Sequence, residues 1–138
     1  MLGLDTNIVL RWLIDESIWP NDNPGQIEAV RALLSNEDQT FYLNSVVLHE
    51  TLWVVSKLYK QPKAVLVDLI ERLLLSANLV VQDREAVEAT WRSYAAHSAG
   101  VHDRLIAEIN VLAGCKTTMT FDRAASRTPG FQLLHDRG

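Results

Sequence analysis

A single cysteine, Cys115, stands in the 138 residues, so no disulfide can form within the chain. That suits a reducing compartment. Cys115 follows a helix-ending glycine ahead of a strand and is expected to be buried and inert. No apolar run approaches the roughly 18 residues of a membrane span. The start of the chain lacks the basic segment and apolar stretch of an export signal, so a cytoplasmic protein with no membrane partner is expected. Positive charge is also scarce: 13 Lys and Arg against 17 Asp and Glu leave a net charge of -4. Bulk charge therefore does not hold nucleic acid to this chain. A nuclease stays open, because bound divalent cations invert the local sign. The glycine fingerprint GxGxxG, the P-loop and the GxSxG elbow are all missing. His49-Glu50 looks like the start of a zincin motif, but position 53 is Trp where a second His would stand. The four histidines, His49, His97, His102 and His135, have no close ligand pairing.

What is present is an ordinary globular composition, 48% hydrophobic and 22% charged, without repeats or low-complexity tracts. The length fits one domain over residues 1–138. Leu2 to Leu4 read as a short buried strand, followed by a helix carrying Ile8, Val9, Leu10, Trp12 and Leu13. Residues 15–25 are polar, hold two prolines and read as an exposed loop. Helices are expected over residues 26–35, from Asn44 or Ser45 to about Tyr59, over Lys63 to Ser76, from Asp83 to about His97, and from about His102 to Ala113. Phe41-Tyr42-Leu43, Leu79-Val80-Val81, Thr117 to Phe121 and Phe131 to Leu134 supply further strands. Short strands alternating with helices of ten to sixteen residues predict an α/β domain around a mostly parallel sheet of four or five strands. Trp12, Trp53 and Trp91 read as core, whereas Trp19 is expected to be exposed and to mark a partner surface.

Four acids stand apart from the solvated majority. Asp5 ends the first strand, and Asp122 repeats that placement after Thr118-Met119-Thr120-Phe121. Each has a bland alternative as a turn or capping residue. At about 100° per residue, Glu50 falls between Val46 and Trp53 on one side and Val47 and Val54 on the other. A carboxylate there needs a cation or a lined cavity. Asp103 suits the first turn of its helix on dipole grounds alone, yet it shares a face with Ile106, Ala107 and Asn110, away from the charges Arg104 and Glu108. Together the four are expected on the carboxyl-end side of one sheet. Converging carboxylates without basic neighbours repel, and hard divalent cations relieve that, Mg2+ or Mn2+ better than zinc. Thr6, Asn7 and Thr120 are candidate supports that orient the carboxylates, with the capping of the first helix passing to Thr6 or Asn7. Arg104 and Arg123 are candidate phosphate contacts.

In order along the chain, Leu4-Asp5-Thr6-Asn7, Glu50 after Asn44-Ser45-Val46, His102-Asp103-Arg104-Leu105-Ile106-Ala107, Gly114-Cys115 and Thr120-Phe121-Asp122 resemble the PIN-domain family, most of all the VapC-type toxins of bacterial toxin–antitoxin pairs. The resemblance implies a three-layer α/β/α fold and an endoribonuclease dependent on Mg2+ or Mn2+, usually a homodimer and inhibited by a cognate antitoxin. It implies Asp5, Glu50 and Asp103 as the acidic metal core and Asp122 as a fourth, less essential acid. Many relatives carry another acid three residues before the one matching Asp103. Here that position is Gly100, which argues for one working metal, and His102 stands where a small or polar residue is common. Two other readings stay beside this one: a phosphate-handling α/β enzyme of another type, and a catalytically degenerate binding module. The first lacks the second acid or DxD pair that such enzymes want, and the second predicts no turnover with any metal.

Overall fold

The computed structural model describes residues 1–15, 17–18 and 23–138. Trp19, and the partner surface expected of it, lie outside the described residues. The chain divides into two compact units, Met1–Gln82 and Asp83–Gly138.

In the first unit three strands pair in parallel in the order β1 (Leu2–Gly3), β2 (Phe41–Leu43), β3 (Leu79–Val81). Their register matches Gly3 with Tyr42 and Leu43 with Val81. The crossover from β1 to β2 holds helices α1 (Thr6–Leu13) and α2 (Pro24–Leu34). That from β2 to β3 holds α3 (Ser45–Trp53), a π-helical segment (Val54–Leu58) and α4 (Lys63–Leu75). Parallel strands need such long crossovers, which is why strands and helices alternate. Phe41 and Leu43 are almost fully buried, as are Val9, Leu48, Leu52, Val55 and Leu73. The β1 strand is shorter and more open than its apolar letters suggest. It lies at one edge of the order, Leu2 is 45% exposed, and only Leu4 is buried.

Helix α2 starts inside the stretch read as loop. Pro24 takes its first turn, where a missing N–H costs nothing, and the Asn23 side chain accepts the Gln26 N–H at 3.3 Å. The apolar letters of α3 cover most of its circumference, so they do not reveal which side is buried. Leu48, Thr51 and Leu52 are inside, while Val46 (75% exposed) and Trp53 (48%) face out. Trp53 is therefore not core.

The second unit pairs α5 (Arg84–Ala96) with α6 (Val101–Leu112), and β4 (Thr118–Thr120) runs parallel to β5 (Phe131–Leu133) with the short α7 (Arg123–Ser126) between them. Gly114, at φ +95°, ends α6 in the left-handed conformation expected there. Cys115, just beyond it, is exposed and not buried. Among the described residues every strand pairing is parallel within its own sheet, of three strands in the first unit and two in the second. No described helix is long and apolar enough to cross a membrane.

Candidate active site

Two residues past the matched pair Gly3–Tyr42 come Asp5 on one strand and Asn44 on its neighbour, at the same end of the sheet. The Leu4 N–H, donating to the Tyr42 carbonyl at 3.0 Å, fixes the backbone just ahead of Asp5. Asp5 is extended, and its Oδ1 accepts the N–H groups of Asn7 (2.9 Å) and Ile8 (3.4 Å). It is the N-cap of α1. The capping expected of Thr6 or Asn7 is thus done by Asp5 itself. Thr6 is the first helical residue and buried, and Asn7 reaches Asp5 through its backbone N–H. Both bonds fall on Oδ1 of an exposed residue, which leaves Oδ2 for another partner. Capping and ligation are compatible in one carboxylate.

Asn44 caps α3 in the same manner, accepting the Val47 N–H at 2.8 Å, and the Gln82 side chain accepts the Ser45 N–H at 2.8 Å. Glu50 stands one and a half turns into α3, on its exposed face. The valine-lined burial inferred from the helical wheel is not there. Glu50 shares its side with Val46 and Trp53, which are themselves open, so no desolvation forces a cation on it.

In the second unit the corner recurs. Asp122 follows β4 as the N-cap of α7, its Oδ1 accepting the N–H groups of Ala124 (2.8 Å) and Ala125 (3.2 Å). The Thr120 hydroxyl accepts the backbone N–H of Asp122 at 3.0 Å, a bond to the main chain and not to the carboxylate it was expected to orient. Arg123 is exposed beside Asp122. Asp103 is half-buried in the first turn of α6, and Gly100 opens that helix without a side-chain cap. A Cβ on Gly100 would meet Asp103 Oδ2 at 3.9 Å, ordinary contact, so an acid at position 100 would border Asp103 without a clash. Asn110, two turns along from Asp103, donates through Nδ2 to the Thr118 hydroxyl at 2.9 Å and ties α6 to β4. The helical wheel puts Asn110 on the face of Asp103 but gives no sign of Thr118 as its partner.

Arg104 is not the exposed charge of the sequence reading. It is 1% exposed. Its Nη2 donates to the Thr128 hydroxyl at 3.0 Å and to the Pro129 carbonyl, and its guanidinium carbon lies 5.7 Å from the Phe131 ring centroid. Glu108 is 3.9 Å away on the next turn. A cation held by a hydroxyl, a carbonyl and a ring serves the packing of α6 against the α7–β5 segment. It is not placed to meet phosphate, and of the two arginines Arg123 alone presents its charge to solvent.

The donors at these positions are carboxylate oxygens, exposed at Asp5, Glu50 and Asp122 and half-buried at Asp103. That donor chemistry fits Mg2+ or Mn2+ better than a nitrogen- or sulfur-seeking ion. Among the described residues, no three His, Cys, Asp or Glu side chains are grouped so as to hold a metal ion. A family model described as PIN domain matches residues 3–130. No curated protein matches the chain.

Proposed function

From the premise that the chain belongs to the PIN-domain family, matched over residues 3–130, and carries that family's nuclease-type fold, we propose that it is a Mg2+- or Mn2+-dependent endoribonuclease and the toxin of a type II toxin–antitoxin pair. The observation that carries the reading is the twice-built corner of strand, aspartate and helix. At Asp5 and again at Asp122 one carboxylate oxygen is held by the helix N-terminus and the other is left over. Ser or Asn would cap as well and the helix dipole by itself favours a carboxylate there, so it is the spare oxygen at both corners, in a chain of this family, that supports the reading.

In this reading Asp5, Glu50 and Asp103 would hold the cation and Asp122 would assist. When bound, the ion supplies an activated water and charge relief for in-line attack on a phosphodiester. The protein's own part is positioning. The N–H groups of Asn7 and Ile8 fix the plane of the Asp5 carboxylate, and Thr120 fixes the backbone of Asp122. Thr6 is the buried first residue of α1, directly after Asp5, and exposed Arg123 takes an RNA phosphate. A cognate antitoxin and a second copy of the chain complete the assembly, with half-buried Trp12 and α4 as contact elements.

The test is cleavage of RNA by the purified chain with Mg2+ or Mn2+, against EDTA and against Asp5→Asn. Cleavage that needs the metal and is lost in the folded variant is expected. Cleavage undiminished in Asp5→Asn, or undiminished in EDTA, overturns the proposal.

A further inference from the structure

Along the outer side of α3 and the π-helical segment run Val46, Glu50, Trp53 and Lys57, each three or four residues from the last and all exposed. The opposite side of the same helix is locked inward by Leu48, Thr51, Leu52 and Val55, each 2% exposed or less. The outward placement of Trp53 is therefore a consequence of packing and not of a loose helix. An indole left 48% exposed forgoes much of the stabilisation that burial gives a large apolar side chain. Something flat and apolar would recover it. A protein surface is a poor candidate, because Glu50 sits between Val46 and Trp53 and would be desolvated with them. A nucleobase covers the indole alone and leaves Glu50 wet.

The backbone supports the same occupant. Residues three apart on a helix are neighbours, with about 5–6 Å between Cβ atoms, and long helical side chains lean toward the N-terminus. In a usual helical rotamer the indole of Trp53 would lean back toward Glu50. Past Trp53 the helix widens: the Tyr59 N–H donates to the Val54 carbonyl at 2.9 Å, and the Gln61 N–H to the Val55 carbonyl at 3.0 Å. A wider turn rotates less per residue, so four residues come back close to one full turn and Lys57 stays on the side of Trp53, as it would in an α-helix. Single π turns of this kind occur frequently at functional sites.

We infer that Trp53 and Lys57 bind one nucleotide of a single-stranded RNA, the indole stacking on the base beside the scissile phosphate and the ammonium meeting the next backbone phosphate. The inference rests on the ribonuclease reading above, in which Glu50 is a metal donor. Stacking tolerates every base, so this contact gives grip without sequence choice.

The experiment is Mn2+-dependent cleavage of one single-stranded RNA in which each base in turn is replaced by an abasic site. With the wild-type chain, one abasic position beside the cut is expected to lower kcat/KM by about 5- to 150-fold. Trp53→Leu lowers cleavage of the intact RNA by a similar factor and loses nothing more on that abasic substrate. Trp53→Phe recovers most of the loss. Lys57→Gln flattens the dependence of log kcat/KM on log salt by about one phosphate contact. Folded Trp53→Leu that cleaves every substrate like the wild type overturns the inference. So does a Trp53→Leu loss that is the same at every abasic position, or a change from dimer to monomer with the abasic series unaltered, which would give the strip to a second copy. A wild-type chain that cleaves no RNA fails earlier, at the ribonuclease reading, and is told apart from all of these.

Discussion

Replacing Arg104 should unfold the second unit's packing and not impair phosphate binding. Its guanidinium is 1% exposed and donates to the Thr128 hydroxyl and the Pro129 carbonyl beneath the Phe131 ring. Hydrogen bonds from a charged donor are worth about 1.5–3 kcal/mol each, so the two together bear about 3–6 kcal/mol. The 3.9 Å approach of Glu108, an i,i+4 pair, adds about 0.3 kcal/mol. Against this stands the cation's own burial, with Nε sealed from solvent and without a hydrogen-bond partner among the described residues. Arg104→Ala, which also leaves a void, is expected to cost about 3–5 kcal/mol. With a urea slope of about 1–3 kcal/mol/M, the unfolding midpoint falls by about 1–5 M. Arg104→Met fills the space and removes the buried charge, so it costs only about 1–3 kcal/mol, chiefly the orphaned Pro129 carbonyl. Urea denaturation followed by circular dichroism measures both, and amide exchange should rise in residues 123–133. A midpoint unchanged in Arg104→Ala, together with weakened RNA binding, would refute the reasoning and restore Arg104 as a phosphate contact.

Three further outcomes follow from the same geometry. Asp5→Ala removes the cap of α1 and should lower stability by about 1 kcal/mol in thermal unfolding, whereas Asp5→Asn keeps the Oδ1 acceptor and should lie within a few tenths of the wild type. Gly100→Asp supplies α6 with the N-cap it lacks and sets a carboxylate beside Asp103, so it should raise Mn2+ affinity while Gly100→Asn, an uncharged cap, does not. Burial pushes the Tyr94 hydroxyl above its usual range. Its folded pKa is then higher than its unfolded one, so its contribution is present in full below pH 10 and is lost as pH rises through the folded value. Tyr94→Phe should flatten the fall in unfolding midpoint above pH 10, and an identical slope would count against it.

Much of the fold could be read from letters because local signals and packing agree. Phe41–Leu43 and Leu79–Val81 are short apolar runs between breakers, and both are strands. Gly114 stops α6 where a glycine with positive φ was expected. The misreadings share a cause, which is that burial depends on distant partners. Arg104 looks like a surface charge until Thr128 and Pro129, 24 and 25 residues on, supply its acceptors. Glu50 and Trp53 look buried because α3 is apolar nearly all round, and only the packing of Leu48, Leu52 and Val55 decides which side faces in. Pro24 looks like a loop residue, yet proline suits the first helical turn when Asn23 caps it. Asp5 was legible as both cap and candidate ligand. The structure makes it the cap and leaves one oxygen over.

That remaining oxygen is the point on which the functional account turns. The most direct measurement is Mn2+ binding, followed by electron paramagnetic resonance, to the wild-type chain and to Asp5→Asn at equal thermal stability. Asn preserves the cap and deletes the charge, so the account predicts Mn2+ binding weakened by at least about tenfold, the scale expected when a ligand is disturbed. Equal binding by the two proteins would contradict it and leave Asp5 as a capping residue alone.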